Sequence, residues 1–299
     1  MLLARGADIN LKDKDGYTPL MIAIEKGYES IVNLLLERGV DIIDEHHGTR
    51  PQFLEDTYDT FKPLPRYYIS DVMSKPGGRV VLWAVRHQQE SIIKLLLDRS
   101  PEADLKKLYG PLVLIWAAMG GYKGIAEWLI ERGVEVDFKG GYDNFEGGYD
   151  IFEGGYNRSQ TPLSLAAIHG HNDIVKLLIE KGANIEARYE GGQTPLLFAA
   201  EHGQNHTIEL LLQKGARIDV HDNRGRTLLL AAAEHGQNHT IELLVEKGAS
   251  IAVEDNGGRT LLSLAAEQGH NSTIMLLLEK GAEIEAKDNN WPNTAIIGG

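Results

Sequence analysis

The sequence predicts an all-α solenoid of stacked helix–turn–helix units. Three observations lead there. First, one block recurs every 33 residues: Gly192-Gln193-Thr194-Pro195-Leu196 through Gly203, Gly225-Arg226-Thr227-Leu228 through Gly236, and Gly258-Arg259-Thr260-Leu261 through Gly269. Second, each block is followed by an apolar run at helical spacing, such as Ile174-Val175-Lys176-Leu177-Leu178-Ile179, which closes on another glycine. Third, composition is that of an ordinary globular protein, with 42% hydrophobic and 24% charged residues among 299. A fixed period of this length marks arrays in which stacking, rather than any single unit, buries the core.

Each unit reads as two short helices and a turn. Thr at the head of the block caps a helix N-terminus, and the Pro after it in several units suits the first helical position. Ala-Ala pairs let neighbouring helices approach closely. Gly27, Gly170, Gly203, Gly236 and Gly269 end the first helix, and Gly39, Gly133, Gly182, Gly215, Gly248 and Gly281 end the second. Residues 199–211 and 232–244 are identical, the mark of a recent duplication.

The period, the Thr-Pro-Leu blocks (Thr18-Pro19-Leu20, Thr161-Pro162-Leu163, Thr194-Pro195-Leu196), the paired glycines and the Leu-rich second helices resemble the ankyrin repeat. The resemblance covers nearly the whole chain apart from two insertions. It implies an ankyrin-repeat solenoid of stacked helix–turn–helix units with finger loops. One feature departs from the family. The His that usually follows Thr-Pro-Leu is replaced by Met21, Leu82, Ile115, Ser164, Leu197, Leu230 and Ser263, so the hydrogen bonds of that His are lost.

Along the chain, residues 1–12 read as a partial repeat, the tail of a second helix and its link. Residues 13–43 form a full repeat and 44–73 an insertion with Pro51, Pro63 and Pro65 among aromatics. Two degenerate repeats without Thr-Pro occupy 74–139. A Gly/Tyr-rich insertion follows at 140–155, in which Gly-Gly-Tyr recurs every seven residues; a Gly pair per heptad excludes a coiled coil. Four regular repeats fill 156–287, and 288–299 begin another turn. With no polar cap visible at the N-terminus, the chain reads as a fragment, a truncated product or an array capped from outside. Both insertions fall between a second helix and the next first helix, which in the ankyrin family is the finger. They are expected to be enlarged fingers beside the concave recognition surface.

The net charge of -13 disfavours nucleic acid, which needs a basic stripe. No apolar stretch approaches the length of a membrane span, so membrane insertion is not expected. There is no cysteine, which removes disulfides, thiolate zinc sites and cysteine nucleophiles. With no signal-like leader, a cytoplasmic or nuclear location is expected. No cofactor is expected: the phosphate-loop and nucleophile-elbow motifs are missing. No metal is expected either. His169, His202 and His235 recur one per unit, about 8–10 Å apart, too far to share an ion whose ligands sit about 2 Å away. Asp44-Glu45-His46-His47 do not share one face of an element. An enzyme is the less favoured reading, though the sequence leaves it open.

In the ankyrin family, partner contacts come from finger tips and the exposed ends of first helices. Carried onto this chain, those positions include Tyr17, Lys26, Arg86, His87, Tyr109, Met119, Arg158, His169, His202, Arg224, Arg226, His235 and Arg259, with Tyr142 and Tyr149 from the second insertion. Aromatic and Arg side chains are the usual anchors of interfaces. Trp83 and Trp116 hold equivalent sites in adjacent units; they are core residues or the floor of a ligand groove between the two insertions, with core favoured. Trp128 is read as core. The expected function is a protein-interaction scaffold whose partner has a basic or mixed surface. The alternatives are a small-molecule or enzymatic groove between the insertions, or a spacer module of a longer regulatory protein.

Overall fold

The computed structural model describes residues 8–14, 16–40, 77–99, 109–137, 161–189 and 191–283. The expected insertions at 44–73 and 140–155, with Tyr142 and Tyr149, lie outside these residues, as does Arg158.

Among the described residues there are fourteen α-helices and no strand. They come in pairs: α1 (Pro19–Glu25) and α2 (Glu29–Glu37), α3 (Gly78–Arg86) and α4 (Glu90–Asp98), α5 (Gly110–Gly120) and α6 (Lys123–Glu131), α7 (Pro162–His169) and α8 (Asn172–Glu180), α9 (Pro195–Glu201) and α10 (Asn205–Gln213), α11 (Leu228–Glu234) and α12 (Asn238–Glu246), and α13 (Leu261–Glu267) and α14 (Asn271–Glu279). The chain divides into two compact units. One contains α1–α4 with residues 110–116 of α5 and 124–131 of α6; the other contains residues 117–123, 136–137 and α7–α14.

The threonines start the helices as expected. Thr18, Thr161, Thr194, Thr227 and Thr260 sit in extended backbone, and each Oγ1 accepts the N–H three residues on, at 3.2–3.4 Å. Such a cap stabilises a helix by about 1 kcal/mol. The degenerate α3 lacks it; its N-cap is Gly77, with no side-chain bond. First helices end on residues in left-handed backbone, Gly203 (φ 69°) for example. In α3 the same position is Gln88 (φ 56°), the one non-glycine residue with positive φ among those described. A side chain there crowds the following carbonyl, which glycine avoids.

Packing runs between like helices of neighbouring repeats. In the second unit α7, α9, α11 and α13 pack in succession, and so do α8, α10, α12 and α14. In the first unit α1 packs on α3 and α2 on α4. Helices of seven to eleven residues are too short to be stable alone, so this contact holds them. The cores are aliphatic: Leu82, Ile93 and Leu97 in the first unit, and Leu163, Ile174, Leu196, Ile208, Leu230 and Ile241 in the second, are fully buried.

Before α1, α9, α11 and α13 the chain makes a tight finger turn. The N–H of Asp13, Tyr189, Asp222 and Asp255 donates to the carbonyl of Tyr17, Gln193, Arg226 and Arg259, at 3.0–3.1 Å. Adjacent fingers are tied by the Asn223 N–H to Gly191 O and the Asn256 N–H to Arg224 O, both 2.8 Å. A Cβ on Gly192 would meet the Asn223 backbone nitrogen at 2.7 Å, so only glycine allows this approach.

Candidate functional site

The finger turns and the ends of the first helices are held in place by repeated bonds between neighbouring repeats. The residue before α8, α10, α12 and α14 reaches back to the first helix of the preceding repeat. Gln204 Nε2 donates to Ile168 O at 3.0 Å and Gln237 Nε2 to Glu201 O at 3.2 Å. His270 Nε2 lies 3.1 Å from Glu234 O, and His171 Nε2 lies 2.8 Å from Met119 O. A carbonyl only accepts, so both imidazoles carry their proton on Nε2. On the second helices, Thr207 donates to Asn172 Oδ1, Thr240 to Asn205 Oδ1 and Thr273 to Asn238 Oδ1, at 2.6–2.7 Å, with all three threonines buried. The position of the family His is held by other residues in these repeats. Where that position is Ser164 or Ser263, the hydroxyl instead donates to the carbonyl of its own capping threonine, Thr161 or Thr260.

An ionic network fixes the last two fingers to the first helices. Arg226 is buried, with its guanidinium held by three carboxylates: Asp222 at 2.8 Å, Glu201 at 2.9 Å, and Glu234. Arg259 repeats the pattern with Asp255 at 2.8 Å and Glu267 at 3.6 Å. Burial pushes the Glu201 carboxyl up, against the pull of Arg226. Burial also acts to raise Asp255, but the backbone and side-chain donors of Arg259 and the N–H of Gly257 outweigh it and hold that carboxyl below its ordinary range. Tyr189 takes the aspartate position one finger earlier. Its hydroxyl accepts the Thr161 N–H at 2.9 Å and lies 2.8 Å from the Thr161 Oγ1, and its ring packs edge-on to Phe198.

Two of the residues assigned to the surface from sequence are therefore not on it. Arg226 spends its guanidinium on the inter-repeat network, and Tyr109 is buried in the first unit at 2% exposure. Arg259 is half-buried and ion-paired. The exposed set in the second unit is Arg224, His169, His202 and His235, with Met119 half-buried. The three histidines follow one another at the ends of α7, α9 and α11. His202 Nδ1 and His235 Nδ1 lie 3.0 and 2.9 Å from carbonyls of their own helices, Phe198 and Ala231, which fixes their rings. Packing around its ring, then the neighbouring His171 and His202, holds the His169 imidazole below the usual range.

In the first unit the expected residues gather around Trp83. That indole is buried, and its Nε1 donates to Met21 O at 2.8 Å. Tyr17 and His87 lie 5.3 and 4.7 Å from its ring, and the Arg86 guanidinium 5.6 Å. Trp83 is thus a core residue joining two repeats; Trp116 is buried as well. Burial lowers the His87 imidazole, whose Nε2 is buried without a partner. Lys26 is exposed and paired with Glu25 at 2.8 Å. Trp128 departs from the sequence reading. It is half-buried, with Arg132 stacked 3.8 Å over its ring while Arg132 also binds Asp98 at 2.9 Å. Among the described residues no three His, Asp or Glu side chains group as metal ligands, and no helix is long and apolar enough to cross a membrane.

Sequence reasoning missed Gln204, Gln237 and His270, and the Asn–Thr ladder. The signal was there: Thr207, Thr240 and Thr273 recur where Ile92, Ile125 and Ile174 stand in other repeats, and a polar residue repeated at a buried position needs a repeated partner.

Comparison with known proteins agrees with this architecture. A model of three ankyrin repeats matches residues 147–222 and 216–288, and a model of many ankyrin repeats matches 2–44. The chain belongs to the ankyrin-repeat family. Among curated relatives, alpha-latrotoxin-Lt1a of Latrodectus tredecimguttatus is 50% identical over 40 residues, which is 13% of this chain and 3% of the toxin. Alpha-latrotoxin-Lhe1a of Latrodectus hesperus is 48% identical over 40 residues, again 3% of its length. An ankyrin repeat-containing protein of Schizosaccharomyces pombe is 30% identical over 80 residues, 26% of this chain and 39% of that protein. The match thus spans well under half of each relative.

Proposed function

We propose that this protein is an interaction scaffold that binds a protein partner through the finger turns and first-helix ends of residues 161–283. Ankyrin repeats generally mediate protein–protein interaction. The observation that carries the reading is the row of exposed His169, His202 and His235, set on helices whose ends are bonded to the next repeat. A surface fixed before binding loses little conformational entropy on association. With a net charge of -13, the partner suited to it has a basic or mixed surface, and its association slows as salt rises. Nucleic acid is not part of the proposal, for the same reason. The insertions at 44–73 and 140–155 supply selectivity in this reading, and the site is cytoplasmic or nuclear.

The test is affinity co-purification from native extract. Three baits are compared: the full chain, a chain lacking 140–155, and a chain carrying His169→Glu, His202→Glu and His235→Glu. A protein captured by the first and lost from the third supports the proposed surface; loss from the second adds the insertion to it. Equal capture by all three places the contact elsewhere and sinks this reading.

A further inference from the structure

The fingers before α11 and α13 are the same turn built twice. In each, an aspartate Oδ1 accepts two backbone N–H groups: those of Arg224 and Arg226 on Asp222, both at 2.9 Å, and those of Gly257 and Arg259 on Asp255, at 2.8 and 2.9 Å. The Gly225 N–H closes the first turn on Asp222 O at 3.0 Å, and the Gly258 N–H closes the second on Asp255 O at 2.9 Å. The residue after the aspartate is an exposed asparagine in both, Asn223 and Asn256, and each donates its own backbone N–H to the finger before it at 2.8 Å. The turns part at the next residue. Asn223 is followed by Arg224 and Asn256 by Gly257, and Asn256-Gly257 is the one Asn-Gly pair in the sequence. Gly257 is not held in left-handed backbone, so its place does not call for glycine.

We propose that Asn256 is a self-modification site, whose side-chain amide is lost to attack by the backbone nitrogen of Gly257. That nitrogen bonds to Asn256 Cγ and gives its proton to solvent. The Cγ–Nδ2 bond breaks, and Nδ2 takes a proton from solvent and leaves as ammonia. A cyclic imide remains, and water opens it in one of two ways. Cleavage of the new bond at Cγ yields aspartate; cleavage of the original peptide bond yields isoaspartate, with an extra methylene in the main chain. Water is the only co-reactant, and nothing is oxidised or reduced. Glycine hinders this attack least, since it carries no Cβ beside the nitrogen and its backbone turns most freely. In the closed turn both reacting groups are engaged, Asn256 Nδ2 with Asn223 O at 3.0 Å and the Gly257 N–H with Asp255. The reaction therefore proceeds from a local opening of the turn, which costs little in an exposed loop. The product does not restore the tie. A carboxylate only accepts, so it would face the Asn223 carbonyl with no proton between them. The change also adds a negative charge to a finger of the face proposed for partner binding, but the chemistry does not depend on that reading.

Peptide mass mapping of the full chain tests it, with the protein kept folded at mildly alkaline pH and then digested in acid. The peptide holding Asn256 should grow heavier by one mass unit, several-fold faster than the peptide holding Asn223. An isoaspartyl methyltransferase should transfer labelled methyl groups to the same peptide. Gly257→Arg copies the preceding finger and should slow Asn256 to the rate of Asn223. Far-UV circular dichroism matching the unaltered chain shows that this variant folds; Gly257→Ala serves as a second variant. The chain unfolded in guanidinium chloride gives the rate for a turn that is always open. Conversion of Asn256 in the unfolded chain with none in the folded one overturns the proposal. So does equal conversion of Asn223 and Asn256 in the folded chain, or a folded Gly257→Arg variant that converts as fast as the unaltered protein.

Discussion

In residues 161–283 neighbouring repeats are tied by recurring directional bonds, whereas in the first unit isoleucines take the place of the ladder threonines and Tyr17 that of the finger arginine. Thr207, Thr240 and Thr273 donate to asparagines of the preceding repeat; Ile92 and Ile125 occupy that position in the first unit and are simply buried. Arg226 and Arg259 anchor the fingers of one region by charge. Tyr17 anchors the finger of the other by packing against Trp83. One backbone architecture thus tolerates two interface chemistries. Apolar contact is non-directional and gives bulk stability. The polar ladder adds little net free energy per bond, but leaving either partner unmade is costly, so it fixes which residues face each other.

The largest expected effects set the two chemistries side by side. Arg226→Ala leaves Glu201 and Asp222 buried without their cation and should cost about 3–5 kcal/mol. Trp83→Ala opens a cavity in the first unit and should cost about as much, roughly 3–5 kcal/mol. Urea denaturation followed by circular dichroism gives both values, and pH separates them. Burial already raises the Glu201 carboxyl, and a raised carboxyl favours the fold most below the ordinary glutamate value of 4.5, losing that contribution as pH climbs through the folded value. Removing Arg226 raises it further. The deficit of Arg226→Ala should therefore shrink as pH is lowered from neutrality toward 4.5, while that of Trp83→Ala should not follow the same course. Parallel pH courses would remove the distinction between the regions.

A smaller contrast comes from the ladder itself. Thr240→Val keeps shape and removes the donor to Asn205 Oδ1, for an expected loss of about 1–2 kcal/mol. Ile92→Val, at the matching position of the first unit, should cost about 0.5–1.5 kcal/mol through lost packing alone. The two differ in their couplings. A double-mutant cycle with Asn205→Ala should show a coupling of about 0.5 kcal/mol or more for Thr240; additivity there would mean the ladder bond is energetically silent.

The smallest effect has the opposite sign. Gln88→Gly removes the left-handed side chain at the end of α3, and the relief should slightly exceed the added freedom of the unfolded chain. A gain of up to about 1 kcal/mol, seen as a higher thermal midpoint, is expected. A loss instead would show that the Gln88 side chain makes a contact worth more than its backbone strain.

The helices, their threonine caps and their ends were legible in the sequence because each depends on one or two local residues at a repeated offset. The surface was only partly so. His169, His202 and His235 are exposed, as their place at a helix end suggests. Arg226 looked like them, a charged residue at a finger, yet it is buried, because its fate depends on Glu201 in the preceding repeat and Glu234 at the far end of its own helix. A pattern read one position at a time does not show such convergence. Trp128 misled for the reverse reason. A tryptophan in a Leu-rich helix suggests core, but the Arg132 side chain can cover one face of its ring, and a half-buried place suffices.

The interchangeability of the ladder bonds bears on how such a chain changes length. Thr207–Asn172, Thr240–Asn205 and Thr273–Asn238 are the same bond made three times, and the Gln204 and Gln237 bonds are likewise equivalent. Excision of residues 194–226 by unequal recombination would bring Thr240 opposite Asn172 and Gln237 opposite Ile168, and each of these broken bonds would find a substitute. The 13 identical residues at 199–211 and 232–244 offer the sequence homology for such an exchange. In this part of the chain, whole repeats can enter or leave a gene without a compensating point mutation, whereas a change of a few residues would put every downstream partner out of step.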